Sequence, residues 1–146
     1  MYKRILLAYD GSEPGQKALL DCDALAQWSK SHLYLIAVMP PPAALIGGEG
    51  FVYDTRGEEE ERKRYEAILA DGLRRLQESG HTGSRGEVVM GDAVDEITRY
   101  AREIDADLIV VGHKHLDSWA ARWWRGSVSK TLIEHAPCSV LVAITR

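Results

Sequence analysis

Three stretches hold residue types that could bind or transform a ligand. Asp10-Gly11-Ser12 follows the apolar run Ile5 to Tyr9. A carboxylate at such a point can accept hydrogen bonds from a ribose hydroxyl or from a helix N-terminus, and Gly11 lets the backbone turn sharply. Turn chemistry and helix capping alone would explain these residues equally well. Gly112 closes the run from Asp107, and Gly126-Ser127 opens a later helical pattern. Glycine permits close backbone approach, N–H groups at a helix start favour an anion, and Ser127 adds a hydroxyl donor. Together they could hold a phosphate chain, although two glycines in a loop are common. Between them runs His113-Lys114-His115 through Arg122 and Arg125, with Trp119, Trp123 and Trp124 interleaved. The cations could face phosphates. The tryptophans are costly to expose and mark an interface or a stacking surface.

Other chemistries find less support. His113 and His115 lack a third metal ligand at a convincing spacing, so no metal site is expected. The acidic run Glu58 to Glu61 reads as a solvated helix start, where negative charge suits the helix dipole. A basic, aromatic loop could stack on single-stranded nucleic acid, but the formal net charge of -4 disfavours nucleic acid. The chain has no G-x-x-x-x-G-K-[ST], no G-x-G-x-x-G after the first apolar run and no G-x-S-x-G nucleophile elbow. A phosphorylatable receiver would want a lysine on the last strand, and Ser139 to Ile144 has none. Cys22 and Cys138 are too few and too far apart for a disulfide framework, and both read as reduced thiols.

The elements that must position these residues follow from the apolar runs. Ile5–Tyr9, Leu33–Val38, Glu87–Met90, Asp107–Gly112 and Ser139–Ile144 read as strands. Between them lie four helical patterns. Ser12 is the expected cap of the first, with Pro14 in its first turn. Ala18, Cys22, Leu25 and Ala26 share one face of it. The second carries Tyr65, Ile68, Leu69, Leu73 and Leu76, behind a capping box at Thr55 and Glu58. The third carries Val94, Ile97, Ala101 and Ile104 behind Asp92. The fourth runs from Gly126-Ser127 to Pro137. Residues 40–57 read as a mobile surface loop. Continuous apolar strands alternating with helices predict a doubly wound α/β fold, a five-stranded parallel sheet with helices on both faces. Ligands in such sheets sit beyond the carboxyl ends of the strands, where strand order reverses. The turns after Tyr9, Val38, Met90 and Val111 are therefore the places to look.

The 146 residues read as one domain, 1–146, with the 45% hydrophobic and 27% charged content of an ordinary globular chain. No apolar run approaches the roughly 20 residues of a membrane span, so no membrane association is expected. The apolar stretch near the N-terminus is too short for a signal-peptide core and breaks at Asp10, so a cytoplasmic location is expected.

The segments ILLAYDGSEPGQKAL, VVMGDAVDEI, DLIVVG and GSVSKTLIEHAPCSVLVA, in this order along the whole chain, resemble the universal stress protein family. The resemblance implies a Rossmann-like, adenine-nucleotide alpha-hydrolase-like fold and a cytoplasmic, homodimeric stress-response protein. Many members bind ATP through G-x-x-G-x9-G-[ST] after the fourth strand. Here the first glycine is Gly112 and the final pair is Gly126-Ser127. Asp10 matches the acidic residue near the ribose. Val38 matches the strand-end backbone that meets adenine, and Met90 and Gly91 match the wall of the adenine pocket. The implied nucleotide site is thus Asp10, Gly11, Ser12, Val38, Met90, Gly91, Gly112, His113, His115, Gly126, Ser127 and Val128. Its expected ligand is ATP or AMP, with magnesium. Two departures stand against this. His115 occupies the second glycine position, and ten residues, Leu116 to Arg125, fill the gap where the pattern has nine.

A homodimer is expected on separate grounds. Val140, Leu141, Val142, Ala143 and Ile144 form an apolar strand at a sheet edge, which invites pairing with another chain. No obvious general base or nucleophile converges on Gly112 and Gly126, Asp10 and His113 being the only candidates, so binding is expected rather than fast chemistry. The alternatives are a nucleotide-free dimeric interaction module, its pocket filled by the tryptophan loop, and a slow ATPase.

Overall fold

The computed structural model describes residues 1–41, 55–114 and 128–145. Strands and helices alternate in it: β1 (Arg4–Ala8), α1 (Glu13–Ser29), β2 (His32–Met39), α2 (Thr55–Glu78), β3 (Arg85–Met90), α3 (Ala93–Glu103), β4 (Leu108–Lys114), α4 (Val128–His135) and β5 (Ser139–Thr145). The strands form one parallel sheet in the order β3-β2-β1-β4-β5. The expected doubly wound α/β architecture is therefore present. The chain moves outward from β1 through β2 to β3, then crosses back to β4 on the other side of β1. Strand order reverses between β1 and β4, as the ligand argument requires.

Each face of the sheet carries its own apolar layer. Ile5, Leu7, Leu33, Leu35, Leu108 and Val110 pack beneath α1 and α2. Leu6, Ile36, Ile109 and Val111 pack against α3 and α4 on the reverse face. Both layers draw on the same strands, which is why these runs are continuous rather than alternating. Ala18, Leu19, Cys22 and Ala26 form the buried stripe of α1. Leu69 and Leu76 anchor α2, with Tyr65, Ile68 and Leu73 half-buried beside them. Small side chains on α1 let it lie close to the sheet, and its first turn touches β4 directly.

The helix ends follow local chemistry. Ser12 caps α1, its Oγ accepting from the Gly15 amide at 3.2 Å, and Pro14 fits the first turn, where no N–H is needed. Lys30 ends α1 in a left-handed conformation at φ 55°, its amide donating to the Ala26 carbonyl. Asp92 caps α3, accepting from the Asp95 amide at 3.0 Å. Two boundaries near the carboxyl edge differ from the sequence expectation. β4 continues through His113 and Lys114, which pair with Ile144 and Thr145. These two residues are therefore strand, held by the neighbouring ladder, and not the start of the loop. α2 begins at Thr55 itself, inside the span expected to be loop. Its cap, like residues 42–54, lies outside the described residues.

No helix among the described residues is long and apolar enough to cross a membrane.

Candidate functional site: a notch above β1

β1 is the central strand and the one that stops first. Ala8 pairs with Ile36 of β2 and Val111 of β4. Beyond that level, β2 runs on to Met39 and β4 to Lys114. Only Tyr9 extends the ladder, its amide donating to the Ile36 carbonyl at 2.9 Å. The chain then turns away at Asp10-Gly11-Ser12. The sheet is left with a notch at its carboxyl edge, walled by the ends of β2 and β4 and floored by this turn.

The turn is built by side chains as well as by glycine. Gly11 has φ +76°, a conformation that side-chain-bearing residues rarely adopt. Asp10 Oδ1 accepts from the Ser12 amide at 2.9 Å and from the Ser12 hydroxyl. Gly15 makes room for that carboxylate, since a β carbon there would lie 2.7 Å from Asp10 Oδ1. Both donors use Oδ1. Asp10 Oδ2 has no hydrogen-bond partner among the described residues, and Asp10 is exposed. The notch thus presents a fixed, ionisable acceptor.

The β2 wall presents backbone. In a parallel ladder, alternate residues turn their amide and carbonyl to opposite neighbours. Ile36 accepts from Tyr9 on the β1 side, whereas the Met39 carbonyl accepts from the Gly91 amide at 3.0 Å on the β3 side. Val38 therefore faces the β1 side, above the point where β1 has ended. Its amide and carbonyl have no partner there among the described residues. A donor and an acceptor this close together match a heterocycle edge that carries both. Met90 and Gly91 lie on the adjacent strand end, with Met90 in register with Met39.

The β4 wall is held by packing. A β carbon on Gly112 would lie 2.3 Å from the Pro14 carbonyl oxygen and 2.8 Å from the Gly15 nitrogen. Glycine was expected here for close approach to a ligand; the contact it makes is with the first turn of α1. His113 follows on the opposite face of the strand, half-buried. Tyr9, beneath the notch, is buried against α2, where a β carbon on Gly72 would meet its ring at 2.8 Å. Burial pushes its phenol pKa up, opposed by Arg75, so it stays neutral at physiological pH.

The helix starts around the notch are not equivalent. α1 begins with Glu13, α2 has Glu58 in its first turn, and α3 has Asp95 and Glu96. α4 alone among the described helices has no acidic residue in its first turn. Among the described helices it is the one whose first turn brings no negative charge to the helix dipole, and Val128 is partly exposed at its start.

The sequence-derived site residues therefore divide. Asp10, Gly11, Ser12, Val38, Met90, Gly91, Gly112 and His113 gather at one carboxyl edge of the sheet, and Val128 opens α4. His115, Gly126, Ser127 and the tryptophans Trp119, Trp123 and Trp124 lie outside the described residues. Gly15 was missed, although an isolated glycine in a first helical turn was a visible signal, and Pro14 was read only as a helix start. No group of three or more metal-ligating side chains occurs among the described residues.

Comparison with known proteins identifies the family. The Universal stress protein family profile matches residues 1–143, and the chain belongs to that family. A universal stress protein of Thermus aquaticus is 31% identical, covering 97% of this chain and 98% of that protein. A crystal structure of a universal stress protein family member from Burkholderia pseudomallei superposes with TM-score 0.71 at 26% identity, covering 97% of this chain and 95% of its own. Two further solved members share the fold. A universal stress protein in complex with cAMP has TM-score 0.71 at 23% identity, covering 97% and 96% of the two chains. The Archaeoglobus fulgidus protein in complex with dAMP has TM-score 0.64 at 22% identity, covering 97% of each chain.

Proposed function

We propose that this chain is an adenine-nucleotide-binding stress-response protein that acts as a homodimer and works through binding rather than turnover. The observation that carries the reading is the notch, in which β1 ends below both neighbours and leaves two kinds of group without a partner among the described residues. The amide and carbonyl that Val38 turns to the β1 side suit the edge of adenine, with Met90 and Gly91 as the adjacent wall. Asp10 Oδ2 suits ribose hydroxyls. The start of α4, free of acidic side chains, suits the phosphates, and Gly126 and Ser127 directly precede it in sequence. Relatives solved with cAMP and dAMP support the ligand class. ATP or AMP is the expected ligand, and magnesium would be held chiefly by phosphate oxygens and water.

The dimer reading rests on the two sheet edges. β3, at one end, carries Arg85 and Glu87, and Glu87 lies 3.7 Å from Arg99. Charges on an edge oppose pairing with another chain. β5, at the other end, reads Ser-Val-Leu-Val-Ala-Ile-Thr and has no charge. Pairing of Val140 to Ile144 with a second copy would satisfy that edge.

One observation favours a second reading, a nucleotide-free dimeric module. Gly112 is required by Pro14 whether or not a ligand binds. Mass spectrometry of small molecules released by denaturing the purified protein separates the two. Stoichiometric adenine nucleotide supports the first reading. A sample that carries none, and whose stability is indifferent to added ATP and AMP, supports the second.

A further inference from the structure

The large apolar side chains that stay exposed are concentrated at one border of the molecule. Of the seven among the described residues, Trp28, Ile133, Leu141 and Ile144 all flank β5. Their placement follows from which side of each element is already occupied.

α1 has one flank against α2. Arg75 Nη1 donates to Gln16 Oε1 at 3.4 Å, and His81 pairs with Asp23 at 2.6 Å. Ala18, Cys22 and Ala26 face the sheet. The helical period places Lys17, Asp21 and Trp28 on the remaining flank, away from α2. α1 lies over β4 and β5, so this flank overlooks the outer edge of β5. Trp28 is 69% exposed there. Leu141 lies on the same face of the strand, two residues from Ala143, which belongs to the layer under α1.

The reverse face repeats the arrangement. α4 buries Leu132 and turns Val128, Thr131 and His135 toward Asp95, Thr98 and Arg102 of α3. Ile133 falls on the opposite flank, over the β5 edge, and is 63% exposed. Ile144 lies on the same face of β5 as Val140 and Val142, which pack in the α3–α4 layer. Each face of the bare edge thus has one strand residue and one helix residue left uncovered.

We infer that the dimer interface is three layers deep, with Trp28 of α1 and Ile133 of α4 as its side-chain anchors on either side of the β5 pairing. The inference rests on the homodimer reading above and extends it from backbone to side chains. A second copy is the occupant that fits. Two β5 strands joined about a two-fold axis normal to the sheet run antiparallel, so each helix meets its own counterpart in reverse. The apolar surfaces are then self-complementary on both faces. Lys17 and Asp21 precede Trp28 on the same flank. Reversal therefore sets the indole of one protomer near the cation and the carboxylate of the other, as a polar rim around an aromatic anchor.

Sedimentation velocity on the full chain, over a range of concentrations, tests this. Trp28→Glu and Ile133→Glu are each expected to weaken dimerisation by about tenfold or more, as buried anchors do. Leu20→Glu is the control. Leu20 is 68% exposed on the same helix but away from the β5 flank, and its substitution leaves the dimer unchanged. Trp28→Ala, verified as folded by circular dichroism, covers any misfolding of the charged variant. A dimer equally indifferent to substitution at Trp28, Ile133 and Leu20 overturns the three-layer interface while leaving strand pairing intact. A wild-type chain that is monomeric throughout overturns the dimer reading itself.

Discussion

Gly112 and Pro14 approach so closely that a β carbon on Gly112 would sit 2.3 Å from the Pro14 carbonyl oxygen. β4 at Gly112 and the first turn of α1 are thereby locked together. The same α1 turn carries the Gly15 that accommodates Asp10. The wall and the floor of the notch are thus one packed unit, and the acceptor at Asp10 has a fixed position relative to the end of β4.

Gly112→Ala should therefore destabilise the protein with no ligand present. Overpacking against backbone costs about 1–3 kcal/mol, since neither α1 nor β4 can shift alone. Urea denaturation of nucleotide-free protein checks this. An unchanged midpoint would mean that the contact is not built into the fold.

Ser12 links capping to the site. Its hydroxyl accepts from Gly15 and donates to Asp10. Ser12→Ala should cost about 1 kcal/mol of stability through the lost cap. Adenine-nucleotide affinity should also fall, because Asp10 Oδ1 keeps only the Ser12 amide. Ser12→Thr, which retains the hydroxyl, should restore most of both, as chemical denaturation and calorimetric titration would register.

Val128→Glu separates helix stability from binding. An acidic residue in the first turn of α4 complements the dipole and should stabilise the helix by about 0.3–1 kcal/mol. The same charge repels phosphate, so nucleotide affinity should drop. Opposite signs in melting temperature and affinity are expected. A variant that binds ATP as tightly as the parent would remove α4 from the site.

The pH dependence follows from buried acids. Burial holds the Cys22 thiol pKa far above its ordinary value, and Asp21 and Asp23 raise it further. Burial also raises Tyr9 and Tyr100. In the unfolded chain these groups lose protons near their ordinary values, about 8.5 for cysteine and about 10 for tyrosine. In the fold they stay neutral. The unfolded state then binds fewer protons, so stability should fall as pH rises above about 8.5. Urea midpoints followed into the alkaline range measure the decline. Cys22→Ala should flatten its first part.

Much of this was legible in the chain. The five apolar runs named the strands, because a sheet covered on both faces needs no alternation. Ser12, Pro14 and Asp92 announced helix starts, because capping is local chemistry. The place of Asp10 just past the end of β1 was legible from the apolar run before it, whereas the two further strand residues after Gly112 were not. The depth of the notch was not legible, since it depends on where Ala8 stops relative to Met39 and Lys114, and register is set by tertiary pairing. The role of Gly112 against Pro14 was hidden for the same reason. Nothing in the sequence around Trp28 marks it, because only the position of α1 over β5 sets its surroundings.

The central claim is that the notch above β1 receives an adenine nucleotide. Thermal denaturation of nucleotide-free protein, titrated with ATP and magnesium or with AMP, tests it most directly. Ligand at about 100 times its dissociation constant should add about 2.7 kcal/mol, a rise in melting temperature that Asp10→Ala abolishes or sharply reduces. A melting temperature that neither nucleotide moves, even at millimolar concentration, would contradict the account.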